Sequence, residues 1–184
     1  MTATRQFRPG FVVASSAVLL LAAGVVAGLP LYVFPVSDDI DHVDVVVVLG
    51  PIDQERLWTA EWLIDHGRAD ALVLSVPPDG SSVTVDGRDY CASTKLCFIA
   101  SPSTTRGEVS AVEGIARREG WTDIAYVTGT AHVSRARWIA MSCSTRSVAV
   151  VEARENRNPA EWLWSYVYQT AGFLKAAVVG CLDD

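Results

Sequence analysis

At 184 residues, half of them apolar, the chain has room for one α/β-sized domain beyond its N-terminal segment. Its 15 Lys and Arg are outnumbered by 21 Asp and Glu, and the formal net charge of −6 excludes a general nucleic-acid-binding surface, which needs a basic footprint. Any anion site must therefore be local.

Residues 11–34 carry no charge and lie between Arg5 and Arg8 on one side and Asp38, Asp39 and Asp41 on the other. A bilayer is spanned by roughly 20 apolar residues, so this stretch is long enough to cross it. The two arginines place residues 1–10 in the cytoplasm and everything after the span outside, as a single-pass cell-membrane protein with an extracytoplasmic domain. A cleaved signal peptide competes, with Val25-Val26-Ala27 as an acceptable site. The stretch continues to Phe34, however, beyond the ~7 to 15 residues of a signal-peptide core, which favours an uncleaved anchor.

Residues 35–42 read as a linker, and the domain occupies 43–184. Residues 43–49 (VDVVVVL) are apolar on both faces of a strand, as in the centre of a parallel sheet. Gly50-Pro51 turns the chain into a helix over 53–66, striped by Leu57, Ala60, Leu63 and Ile64 and ended by Gly67. His66, in its last turn, reads as structural. A second strand at 71–76 precedes a polar loop, 77–94. Loops longer than ~12 to 15 residues are uncommon unless functional or disordered. A third strand at 96–100 leads into a helix lined by Val109, Val112, Ile115 and Ala116, where Thr105 and Glu108 fit a capping box.

Residues 124–128 form a fourth strand, and from Val133 the apolar residues recur at helical spacing. Between them lies VTGTAHVSRAR, which sets His132 and Arg135 on one face of a helix start beyond a strand's carboxyl end. In open parallel sheets ligands bind at that edge, and helix N-termini favour anions. A fifth strand at 147–151 and a final helix from Asn158-Pro159 to about Val179 complete the order. The expectation is a doubly wound, mainly parallel five-stranded, Rossmann-like sheet with an N-terminal transmembrane helix. The aromatic-rich last helix either lies at a membrane interface or covers the sheet, and the second is favoured, with its aromatic end near the lipid.

Cys91, Cys97, Cys143 and Cys181 all follow the span and would lie in an oxidising compartment. Three pairings are possible. Cys91 with Cys97, closing the long loop, and Cys143 with Cys181, tying a helix end to the chain terminus, are preferred. No zinc spacing or CxxC motif occurs, so no metal is expected.

The VTGTAHVSRA segment resembles the "V-T-s-x-x-H-x-x-R-A" pattern of the envelope family typified by SanA, ElyC and YdcF, a domain of unknown function. Asp44 to Gly50 is similar to that family's "D-x-V-V-V-L-G" strand, with Arg56 in the following helix, and Thr104 to Glu108 looks like its "N-T-x-x-E", with Thr104 in place of Asn. Ser75 is followed by Val76-Pro77 rather than the usual Gly-Gly, and Gly129 and Ala131 replace a Ser and an aromatic residue. The resemblance implies a role in the envelope barrier or peptidoglycan biogenesis, without a set reaction, and its motifs mark Gly50, Arg56, Thr104, Thr105, Thr128 and Arg135 as ligand contacts; in an enzyme, His132 would transfer a proton and Glu108 act as base or orient a water.

Two functions remain open. One is an enzyme acting on a phosphate-bearing cell-wall or surface-polymer precursor, either a small anion or lipid-linked. The other is a ligand-binding or scaffold protein with the same pocket. No cofactor is specified: dinucleotide redox chemistry is disfavoured because Gly50-Pro51 is not followed by G-x-G-x-x-G.

Overall fold

The computed structural model describes residues 9–80, 83–93 and 96–181. Arg5 and Arg8, on which the expected orientation rests, lie outside the described residues, as do positions 81, 82 and 94 of the long loop. Five parallel strands, β1 (Val43–Val48), β2 (Ala69–Val76), β5 (Leu96–Ile99), β6 (Asp123–Gly129) and β7 (Ser147–Ala153), form one sheet in the order β5-β2-β1-β6-β7. The fold is thus mixed α/β with a doubly wound sheet, and the winding reverses between β1 and β6.

The pleat of β1 explains the layering. Val46 and Val48 join Leu57, Ala60 and Leu63 of α2 (Gln54–Asp65) on one face, while Val45 and Val47 join residues of α4 (Thr105–Glu119) and α5 (Val133–Cys143) on the other. Alternate side chains of a strand point to opposite faces, so a strand of consecutive valines needs a helical layer on each side.

Local chemistry sets the helix ends. Asp53 caps α2 by accepting from the Arg56 N–H, and Thr104 caps α4 by accepting from the Gly107 N–H. Thr105 is therefore inside α4 rather than at its cap, and the capping box expected from Thr105 and Glu108 does not form. The long loop is organised by a hairpin, β3 (Thr84–Val85) with β4 (Arg88–Asp89), and a short helix, α3 (Tyr90–Ser93). Its Val83 and Tyr90 join the α2-side core.

The N-terminal helix α1 (Pro9–Gly28) runs into a π-helical turn, Leu29–Val33, where Pro30 supplies no N–H for regular helical bonding. The two together contain the one helical span among the described residues long and apolar enough to cross a membrane, Ser15–Val33, with mean hydropathy 2.1 and only 11% of it buried. The linker is pinned to the edge strand: Asp38 N–H donates to the Val150 carbonyl, its carboxylate accepts from the Val150 N–H, and Arg137 pairs with it.

The last helix, α6 (Pro159–Val178), departs from expectation. It does not cover the sheet, whose faces are filled by α2 on one side and by α4 and α5 on the other. Instead α6 packs on α5 and on the end of the N-terminal helix, with Trp138 stacked on Phe173 and Tyr32 edge-on to Tyr166. Gly28 leaves the room that the Tyr166 ring occupies, a place where any Cβ would collide.

Cys91 pairs with Cys97 and Cys143 with Cys181, leaving no free cysteine. The second closes a sequence separation of 38 residues, and chain entropy assigns it about 4 kcal/mol against about 2 kcal/mol for the short loop. Replacing both Cys143 and Cys181 by Ala should lower the urea midpoint of the full chain more than replacing Cys91 and Cys97. Equal midpoints for the two double variants would show that loop closure does not govern the difference.

Candidate functional site

The winding reversal opens the carboxyl edge of the sheet, and a cavity of about 1200 Å³ lies there. Gly50 and Arg56 follow β1, Ser75 ends β2, Thr104, Thr105 and Glu108 open α4, and His132 and Arg135 follow β6; all of them line this one cavity. Val83, Thr84 and Val85 of the hairpin loop and the inner side of α6 complete the wall. Thr128 is fully buried behind it.

Glu108 lies 6% exposed at the base of α4. Its Oε1 accepts the Gly50 N–H at 2.8 Å, and the Ser75 hydroxyl also bonds its carboxylate, so one side chain joins the ends of β1, β2 and α4. Burial raises its pKa above the ordinary carboxylate value, and the Gly50 N–H, Ser75, Arg56 and Arg135 offset this only in part.

His132 closes a 3₁₀ turn, Thr130–His132, between β6 and α5, and is buried between two hydroxyls. Its Nδ1 is 2.8 Å from Thr128 Oγ1 and its Nε2 is 3.3 Å from Thr105 Oγ1. Burial, with the charges of Arg135 and Arg56, depresses its pKa well below 6.5 and keeps the ring neutral.

The two arginines differ. Arg56 donates Nη1 to the carbonyls of Leu49 and Pro51 and Nη2 to Glu155, so its guanidinium holds the β1 turn. Glu155 also pairs with Arg157; burial alone would raise the Glu155 pKa, but the two arginines outweigh it and hold the carboxyl below its usual value. Arg135 donates Nε to Gln169 at 2.7 Å and lies over the Tyr168 ring, while its two terminal nitrogens have no partner among the described residues. Gly172 makes this possible: a Cβ there would stand 2.8 Å from Arg135 Nε. Thr104 spends its hydroxyl on the cap.

Sequence reasoning overlooked Arg106, Arg157 and Lys175 as cavity residues and Glu155 as the partner of Arg56. Arg157 and Glu155 follow β7 at the same sheet edge as Gly50 and Thr128, so the strand-end rule that located those two also points to them. With these included, Arg56, Arg106, Arg135, Arg157 and Lys175 line the cavity, and Glu108 is the one carboxylate that lines it among the described residues, in a chain of net charge −6. Among the described residues no cluster of His, Cys, Asp and Glu is arranged to hold a metal ion.

The two buried titratable groups act on stability with opposite sign. The unfolded chain binds a proton near 6.5 that folded His132 refuses, so its contribution is full above about 6.5 and is lost as pH falls below it. Folded Glu108 holds its proton more tightly than the unfolded value of 4.5, so its burial costs stability as pH rises above about 4.5. The urea midpoint of wild type should fall progressively behind that of His132→Gln as pH drops from about 7.5 to 5.5, and Glu108→Gln should raise the midpoint near neutrality. An offset between wild type and His132→Gln that stays constant with pH would contradict a depressed histidine. No protein-family model, curated protein sequence or solved structure matches this chain, so a functional reading rests on the chemistry of the cavity itself.

Proposed function

We propose that the protein is a membrane-anchored envelope protein of the SanA, ElyC and YdcF type that binds a phosphate-bearing cell-wall or surface-polymer precursor in this cavity and acts on it. The observation that carries the reading is the concentration of basic side chains around one buried carboxylate in an otherwise acidic chain. The free end of Arg135 presents two donors to phosphate oxygens, a geometry that suits bidentate recognition. Glu108, as its carboxylate, accepts the proton of an attacking water or hydroxyl as the new P–O bond forms and returns it to the leaving oxygen as the old P–O bond breaks, while neutral His132 holds the Thr105 hydroxyl in place. Membrane anchorage is supported by the apolar Ser15–Val33 helix, and an oxidising exterior by two disulfides.

A second reading, a binding or scaffold protein without turnover, is favoured by one observation: both His132 nitrogens and the Glu108 Oε1 already have protein partners. Glu108→Gln separates the two, because an enzyme then binds its ligand without converting it, whereas a binding protein keeps its cellular function.

Pyrophosphate titrated into the full chain in detergent tests the shared premise. Arg135→Ala should weaken binding by about 1.5 to 3 kcal/mol, roughly ten- to a hundredfold, without lowering the thermal midpoint. Arg56→Ala should instead lower stability, since it leaves the Leu49 and Pro51 carbonyls without this donor and Glu155 with Arg157 alone. Unchanged pyrophosphate affinity in Arg135→Ala would overturn the assignment of that residue. Protease added to intact spheroplasts should degrade the domain beyond residue 42. Its survival beside a surviving cytoplasmic control would overturn the extracytoplasmic orientation.

A further inference from the structure

Helix α6 is built the wrong way round for a helix in water. Its fully buried residues are polar, Ser165 and Gln169, while Leu163, Val167, Leu174 and Val178 point outward and are 58–86% exposed. These four recur at spacings of four, seven and four, which places them on one stripe of a 3.6-residue helix. An amphipathic helix of a water-soluble domain turns its apolar stripe to the core, and here the core lies on the other side.

The contacts of α6 with the N-terminal helix say what covers that stripe. Tyr166 donates its hydroxyl to the Val25 carbonyl, its ring fills the space beside Gly28, and Thr170 bonds the Tyr32 hydroxyl. Val25, Gly28 and Tyr32 all belong to the apolar segment Ser15–Val33, not to the linker beyond it. Val25 lies eight residues before the end of that segment, which at about 1.5 Å per residue is roughly 12 Å along it. If the segment crosses a bilayer, α6 cannot stand clear of the lipid.

We propose that α6 is a second membrane contact, lying in the bilayer surface beside the anchor with its Leu163, Val167, Leu174 and Val178 stripe in the acyl region. The proposal rests on the membrane reading given above and extends it to the substrate. The opposite flank of the same helix, through Ser165, Tyr168, Gln169 and Lys175, lines the basic cavity. A cavity walled by a lipid-embedded helix opens at the membrane surface, so the anion it takes is the phosphate headgroup of an amphiphile whose tail stays in the bilayer. No apolar tunnel for the tail is then needed within the domain.

The test uses the full chain, with both disulfides intact, reconstituted in phosphatidylcholine vesicles. Single spin labels are introduced through Val167→Cys, Leu174→Cys, Leu20→Cys and Asp41→Cys, and collision with oxygen is compared with collision with a water-soluble nickel chelate. Labels at 20, 167 and 174 should favour oxygen severalfold over the label at 41. A lipid-exposed label at 20 with water-exposed labels at 167 and 174 overturns this inference while leaving the anchor intact. Water exposure at 20 as well overturns the anchor reading and this inference together. In a second arm, vesicles doped with phosphatidic acid should compete for the cavity: the headgroup phosphorus resonance should broaden with wild type and far less with Arg135→Ala. Inorganic phosphate that reverses this broadening at a concentration equal to that of the lipid would show that the tail contributes nothing, and would overturn the amphiphile assignment.

Discussion

The fold depends on one strand that is buried on both faces. β1 has no polar face to give to water, so the chain must return to it from both sides, and the sheet must wind one way through β2 and β5 and the other way through β6 and β7. Everything at the carboxyl edge follows from that reversal. The segments after β1 and β6 leave toward opposite layers, and the gap between them is where Gly50, Glu108 and His132 are gathered. A strand with one polar face would have allowed a one-sided sheet and no crevice.

Electrostatics then divide the cavity's cations into two kinds. Arg56 and Arg157 share Glu155, and Arg56 also binds two backbone carbonyls, so their charges are largely met within the protein. Arg135 is held from one side only, by a neutral amide and an aromatic face, which orient a guanidinium without neutralising it. Burial lowers its pKa from the ordinary guanidinium value, with Tyr168 and Glu108 acting against that shift. A half-buried cation without a full counter-charge is costly, and a bound anion would relieve that cost. Glu108 faces the converse problem, since burial favours its protonated form while the surrounding cations favour the carboxylate.

Much of this was legible in the sequence, for reasons that differ by element. The valine run of β1, the period of α4 and the turn before α5 are local patterns, and they place the strands and helices within a residue or two. The convergence of Glu108, His132 and Arg135 followed from the strand-end rule applied to three loops. The cap of α4 was misplaced by one residue because Ser103, Thr104 and Thr105 are all competent caps, and sequence alone does not rank adjacent hydroxyls. That single step changes the meaning of Glu108, from a carboxylate folded back on its own helix to one reaching across to Gly50. The Arg56–Glu155 pair spans 99 positions and has no local signature. The direction faced by α6 was misjudged because its aromatic pattern marks a helix without saying which layer is already full.

The apolar N-terminal helix and the cavity meet within about two turns of α6. Tyr166, Thr170 and Phe173 receive the end of the N-terminal helix, while Gln169 and Gly172, interleaved with them in sequence, receive Arg135. The linker is fixed by Asp38 to β7 and to Arg137 of α5, which also blunts the exposed strand edge. The N-terminal helix is therefore braced against α6, and the linker that follows it against β7 and α5. A helix that holds the N-terminal helix on one flank and Arg135 on another couples the two mechanically, because a shift of α6 displaces the amide that orients Arg135. Leu163, Val167, Leu174 and Val178 stand exposed on its remaining face, so α6 meets protein on one flank and the polar cavity on another and turns an apolar stripe outward on the third.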